Sequence, residues 1–176
     1  MVRGGLLKTS NETQKKITKI LFIVYLLVLI WIILFKMSFS IQDLPRFRGI
    51  NLIPFKGTAI VNNTLDYSEI LNNILIFVPF GLYLSMLKPH ETFLKKITPI
   101  AIVSLLFESI QYIFAIGGTD ITDFIGNTLG GIIGITIYFI ARNFFKKQTI
   151  KIINILATIG TFGILALLLI LILTNL

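Results

Sequence analysis

Five residues between positions 104 and 134 carry most of the chemistry this sequence can offer: Glu108, Gln111, Asp120, Asp123 and Asn127, in SLLFESIQYIFAIGGTDITDFIGNTLGGIIG. They flank a Gly-Gly pair, predicted to be a turn, between two otherwise apolar segments. An apolar hairpin has no packing need for such groups, and ionisable side chains inside lipid-embedded segments mark functional sites by default. Two carboxylates and an amide offer hard oxygen ligands for a divalent cation, an acid–base pair if the surroundings separate their proton affinities, or polar contacts for a ligand. The competing role is structural, with Glu108 and Gln111 locking helix three to helix four. Interhelical hydrogen bonds in membranes average ~0.6 kcal/mol, against ~2.5–3.5 kcal/mol to insert a central charge. Asn or Ser would make a structural bond more cheaply, so function outweighs structure. The same residues also fit a packed polar core, and no metal or cofactor is expected.

The composition dictates what must position these groups. The chain is 55% hydrophobic with mean hydropathy +0.90, and 14% of its residues are charged, against about 25% in soluble domains. Long unbroken apolar runs replace the ~10-residue alternating segments of a transmembrane barrel. The expectation is an all-α integral membrane protein, one compact bundle of about five transmembrane helices in the cell membrane. The net charge of +8 sits on short inter-helix segments rather than on a phosphate-tracking stripe, which excludes nucleic acid as a partner. With no Cys and a single His, His90, thiolate and His-rich metal sites are excluded. P-loop, dinucleotide, HExxH and His-triad motifs are absent, so the chain leans away from being an enzyme.

A basic tail, residues 1–19, precedes an apolar run from Ile17 to Phe35, long enough for a retained spanning helix and longer than a secretory core. Trp31 near its end suits an interfacial anchor. Further helices are expected at Glu69–Leu87, Ile97–Ile116, Thr122–Ala141 and Ile152–Leu173, with the turn at Gly117–Ile121. The chain divides into the tail, a membrane domain over 20–145 holding a long connection at 36–68, and a basic link with the last helix over 146–176. Placing the N-terminus inside puts twelve of the sixteen basic residues in the cytoplasm, leaving Lys36, Arg46, Arg48 and Lys56 outside. The C-terminus is then outside.

In this orientation Glu108 lies roughly 12 Å, and Gln111 and Asn127 roughly 8 Å, below the outer ends of their helices. Asp123, Asn72 and Asn73 fall in or near first turns. Apart from residues at the inner helix ends and Asn154, the strongly polar groups of the last four spans share the outer half. Ser104, Glu108 and Gln111 share one face, and Asp123, Gly126, Asn127, Gly130 and Gly134 another. Gly126, Gly130 and Gly134 form a ladder suited to close helix packing. Pro79 is expected to kink helix two; it shares a face with Asn72 and Tyr83, and cavity shaping and plain packing remain equal alternatives. The 36–68 connection is too long to be idle and too apolar for disorder, so it should cover the outer mouth or lie in the interface. Arg46 and Arg48 could neutralise Glu108, Asp120 or Asp123, bind phosphate or headgroups, or stand in solvent.

The segments LVLIWIILFK, NLIPF, NNILIFVPFG and FESIQYIFAIGGTDITDFIGNTLGG closely resemble the VanZ-like family, from about Ile17 to Tyr138. The most specific part is FE-x-x-Q followed by TD-x-x-D-x-x-x-N-x-x-GG. Positions matching the pattern are Arg46 or Arg48, Asn51, Pro54, Phe55, Asn72 or Asn73, Pro79, Gly81, Glu108, Gln111, Asp120, Asp123, Asn127 and Gly130. The resemblance implies a cell-envelope role in Gram-positive bacteria, with reduced sensitivity to lipidated glycopeptides such as teicoplanin. It supplies no catalytic roles. The expected function is a polar outer-leaflet pocket that binds membrane lipid, a lipid-linked cell-wall precursor or the lipoglycopeptide. The alternative is an enzyme modifying such a precursor, with Glu108 or Asp123 as acid or base. A transporter ranks last, because the inner half lacks polar residues.

Overall fold

The computed structural model describes residues 2–174 apart from 39–41, 43, 45, 56–59, 62, 63 and 66, and only the backbone of 2–11, 60, 61, 64, 65, 171, 172 and 174. Lys56 and the side chains of Arg3 and Lys8 therefore lie outside the described residues. Helices dominate: α1 (Val2–Leu34), α2 (Ser68–Leu87), α3 (Phe93–Phe114), α4 (Ile121–Phe145) and α5 (Thr149–Thr174). Four stretches are long and apolar enough to cross a membrane, beginning with Glu12–Leu34. The last, Ile121–Ile170, runs to 50 residues. As one helix it would reach about 75 Å, more than twice the ~30 Å hydrocarbon core. It is two helices, separated by a 3-10 turn at Lys146–Gln148 where Lys146 adopts φ 50° and Thr149 Oγ1 donates to the Lys146 carbonyl at 2.8 Å.

Hydropathy located the spans better than the helix ends. α1 begins at Val2 rather than Ile17, so the basic tail is helical. Lys, Gln, Glu and Leu are good helix formers, and apolarity marks where lipid ends rather than where hydrogen bonding ends. α3 starts at Phe93 and stops at Phe114, two residues before the expected end, because Ala115 takes a left-handed conformation with φ 56° and its N–H bonds back to Gln111 and Tyr112.

The larger correction concerns the turn. Ile116–Asp120 is a strand, β4, that pairs in parallel with Phe47–Asn51, β1, from the first connection. Gly49 faces Gly118 in the middle of this pair, and Asn51 faces Asp120 at its end. Backbone polar groups inside a bundle need partners, and the long connection supplies them. A second small pair, β2 (Ile60–Val61) with β3 (Thr64–Leu65), completes the same connection.

Between helices, α2 and α4 make the closest approach. A Cβ at Gly130 would run into the Ile74 carbonyl, one at Gly134 into the Val78 carbonyl, and one at Gly81 into the Gly131 carbonyl. Beside this seam Phe77, Phe80, Phe107, Leu29 and Ile100 form the core, with Phe22 meeting Phe80 edge-on at 5.4 Å between centroids. Near Pro79, which cannot donate to the Leu75 carbonyl, the Tyr25 hydroxyl donates to the Ile76 carbonyl at 2.8 Å. Pro79 and Tyr83 border an apolar cleft of about 490 Å³ against α5, away from the polar residues. Asn154, the polar exception, ties α5 to α1: it accepts from Thr18 Oγ1 at 3.0 Å and donates to Gln14 Oε1 at 2.9 Å. α5 otherwise exposes Leu156, Ile159 and Phe162, as a lipid-facing helix should.

Gly130→Ala and Gly134→Ala should each destabilise the fold by about 1–3 kcal/mol through overpacking. Gly160→Ala, where a Cβ meets nothing within 4 Å, should be neutral or stabilising by up to ~1 kcal/mol. Thermal unfolding midpoints of the purified protein in detergent check both expectations.

Candidate functional site

The αL residue Ala115 ends α3 and sends β4 back beside the helix it has just left. Thr119 Oγ1 then donates to the Glu108 carbonyl at 3.0 Å, and the Asp120 N–H donates to Glu108 Oε2 at 2.9 Å. Asp120 next caps α4, its Oδ1 accepting from the Thr122 N–H at 2.7 Å, the usual role of Asp at this position. Its Oδ2 accepts from Asn51 Nδ2 at 2.9 Å, so one carboxylate joins β1, β4 and α4. The connection is held again where the Phe55 N–H donates to Thr122 Oγ1 at 3.0 Å.

These elements enclose a cavity of about 630 Å³, within the size range of small-ligand sites. Its polar lining holds Glu69, Glu108, Asp120 and Asp123, the amides of Asn51, Asn72, Asn73, Gln111 and Asn127, Thr119, and Lys36. Ile32, Ile33, Met37, Phe47, Ile50 and Ile76 give it an apolar side. The helices deliver the amides to separate tasks. Asn73 Nδ2 donates to Asp123 Oδ1 at 2.7 Å, beside the glycine seam of α2 and α4. Gln111 Nε2 donates to the Ile33 carbonyl at 3.1 Å, so it ties α3 to α1 rather than to α4. Asn127 Nδ2 donates to Ser104 Oγ at 3.0 Å, and its buried Oδ1 has no hydrogen-bond partner among the described residues. Glu108, at 3% exposure, and Asn127, at 2%, form the deepest part.

Of the ten residues expected in the pocket, Asn51, Asn72, Asn73, Glu108, Gln111, Asp120, Asp123 and Asn127 line the cavity, while Arg46 and Arg48 do not. Arg48 donates to the Ile113 carbonyl at 3.0 Å and lies 5.8 Å from the Tyr112 ring centroid, on the outside of α3. Arg46 is exposed. The Arg48 side chain is thus spent on the backbone and an aromatic ring of α3 rather than on the carboxylates. Among the described residues the cation that lines the cavity is Lys36, and Glu69 joins the acids; neither is among the ten residues expected there. Both sit at the same end as the other polar groups, one just past α1 and one in the first turn of α2. Among the expected structural positions, Pro54 is exposed just before Phe55, whose φ is 63°, and Gly126 approaches Asn73. Among the described residues no three His, Asp or Glu side chains are grouped to hold a metal ion.

The family model VanZ/LLP1 matches residues 22–145, the region that contains the whole cavity lining. The chain is 38% identical over 136 residues to Protein VanZ of Enterococcus faecium, an alignment covering 76% of this chain and 81% of that protein. No solved structure matches the chain.

Because Asp120 both caps α4 and holds Asn51, Asp120→Ala should cost about 1–2 kcal/mol locally. Hydrogen–deuterium exchange should then speed up about 10-fold in β1 and in the first turn of α4. Asp120→Asn keeps an accepting oxygen for the cap and should show a smaller change.

Proposed function

The chain belongs to the VanZ/LLP1 family, and from that premise we propose that it lowers sensitivity to lipidated glycopeptides such as teicoplanin by engaging a ligand in its polar cavity. It is a multi-pass cell membrane protein, and that setting defines what can reach the cavity. The observation that carries the reading is the concentration of carboxylates and amides around one opening of about 630 Å³ at a single end of the bundle. A purely structural polar core would close on itself. This one leaves space, with a polar side and an apolar side, which suits an amphiphile.

Charge bias supports an outward-facing cavity. Lys88, Lys95, Arg142, Lys146, Lys147 and Lys151 all lie at or beyond the helix ends away from it, the cytoplasmic signature of membrane proteins. From that position the cavity would meet lipid headgroups, lipid-linked wall precursors and the antibiotic. Engagement of any of these near the outer leaflet would reduce the drug's access to its target.

A deletion strain, complemented with the native chain, should regain protection against teicoplanin and much less against vancomycin, which lacks the acyl tail. Glu108→Gln and Asp123→Asn, inserted at normal levels, should return the teicoplanin inhibitory concentration most of the way to that of the deletion. Full protection by both variants would refute a role for the cavity. Mass spectrometry of lipids and wall precursors supplies the second arm: an unchanged profile supports binding, whereas a new modified species would move Glu108 or Asp123 into an acid–base role.

A further inference from the structure

The sign of the cavity's charge narrows its ligand. Among the described residues four carboxyl groups, Glu69, Glu108, Asp120 and Asp123, border it against one cation, Lys36. With Arg46 and Arg48 outside, a phosphate or other anion would meet four acidic groups and, among the described residues, one cation. Asp120 has committed both oxygens, to Thr122 and Asn51. Glu108 and Asp123 each receive one hydrogen bond, at Oε2 and Oδ1, leaving Glu108 Oε1 and Asp123 Oδ2 as open acceptors among the described residues.

Asn127 supplies an observation independent of the acids. It borders the cavity at 2% exposure, one turn beyond Asp123 on α4, and its Oδ1 has no donor among the described residues. A buried carbonyl without a donor keeps its full desolvation penalty, so this atom calls for an N–H or O–H from a ligand. Three acceptors, two of them acidic, complement a group with positive charge and several donors, and an ammonium has three N–H donors and no acceptor.

A bare divalent cation fits less well. Calcium takes six to eight oxygens at about 2.3–2.6 Å, whereas the acids among the described residues are not grouped for a metal ion and the space is about 630 Å³. The apolar side, with Ile33, Ile50 and Ile76, suits the carbon skeleton of an organic amine. We infer that the cavity is a receptor for a primary ammonium group, which Glu108, Asp123 and Asn127 bind while Lys36 competes for the same carboxylates. The inference rests on the proposed reading of the cavity as a binding site and specifies the chemical class of its ligand. A primary ammonium can arrive on an aminated lipid headgroup or on a soluble amine.

The test uses the full chain in phosphatidylcholine nanodiscs, with thermal midpoint and Trp31 fluorescence as readouts, since Trp31 adjoins Ile32 of the lining. The probes are phosphatidylethanolamine or phosphatidylglycerol doped into the disc, and ethanolamine, choline or magnesium in solution. Stabilisation by phosphatidylethanolamine alone supports a lipid-borne ammonium, and stabilisation by ethanolamine as well supports a soluble one. An equal response to choline, to phosphatidylglycerol or to magnesium would overturn the assignment. Glu108→Gln with Asp123→Asn should weaken amine binding about 10-fold or more. Glu69→Gln, which removes a charge at an exposed lining position, should weaken it less. Lys36→Met should tighten binding roughly 3- to 10-fold, a gain that misfolding cannot imitate; weaker or unchanged binding would count against the inference. Flat titrations alongside lost protection in the Glu108 and Asp123 variants would remove the ammonium and leave the cavity's role standing. Amine binding with full protection in those variants would do the reverse.

Discussion

The cavity end of this molecule depends on one hydrogen bond, from the Asp120 amide to the Glu108 carboxylate. A helix that ends inside a membrane bundle leaves carbonyls and amides that must find partners. Here the chain turns through Ala115, runs as a strand beside α3, and delivers Asp120 to Glu108 and to the start of α4. Once that strand exists it needs a neighbour, and the first connection becomes one. Satisfying the backbone thus creates the wall of the cavity. One oxygen of Glu108 thus holds the architecture, while the other has no hydrogen bond among the described residues.

The glycine seam sets the depth at which the acids sit. Contact between α2 and α4 without intervening side chains at Gly81, Gly130 and Gly134 brings the two backbones together. That approach places Asn73 within 2.7 Å of Asp123. The opposite end is organised by another means, with Gln14, Thr18 and Asn154 joining α5 to α1. Lys96 near that end is buried, its ammonium 4.9 Å from the Phe139 ring centroid. The bundle is thus basic at one end and carries its acid-lined cavity at the other.

Much of this was legible in the chain because membrane insertion imposes simple rules. Apolar length announced the spans, and the expense of burying Glu108, Asp123 and Asn127 singled out residues that line the cavity. Helical periodicity put Asp123, Gly126, Asn127, Gly130 and Gly134 on one face, the face that packs. What stayed hidden depended on non-local pairing. IGGTD reads as a turn between helices, since nothing within five residues reveals a strand partner 69 positions earlier. Whether Arg48 would meet the acids, a headgroup or solvent was open in the sequence; in the fold its guanidinium lies by the Tyr112 ring and the Ile113 carbonyl. Nothing local marks Lys36 or Glu69 as cavity lining, because charged residues flanking a span are ordinarily topology signals.

By itself, the sequence determined that this is a helical membrane protein, where its apolar segments lie, and which polar residues are too costly to be incidental. These are local properties, set by transfer free energy and helical periodicity. Only the tertiary structure decided that β4 replaces the turn, that Lys36 lines the cavity, and that Asn127 Oδ1 has no hydrogen-bond partner among the described residues. Each of those depends on which distant backbone lies alongside, and pairings across the fold leave no local trace in the order of residues.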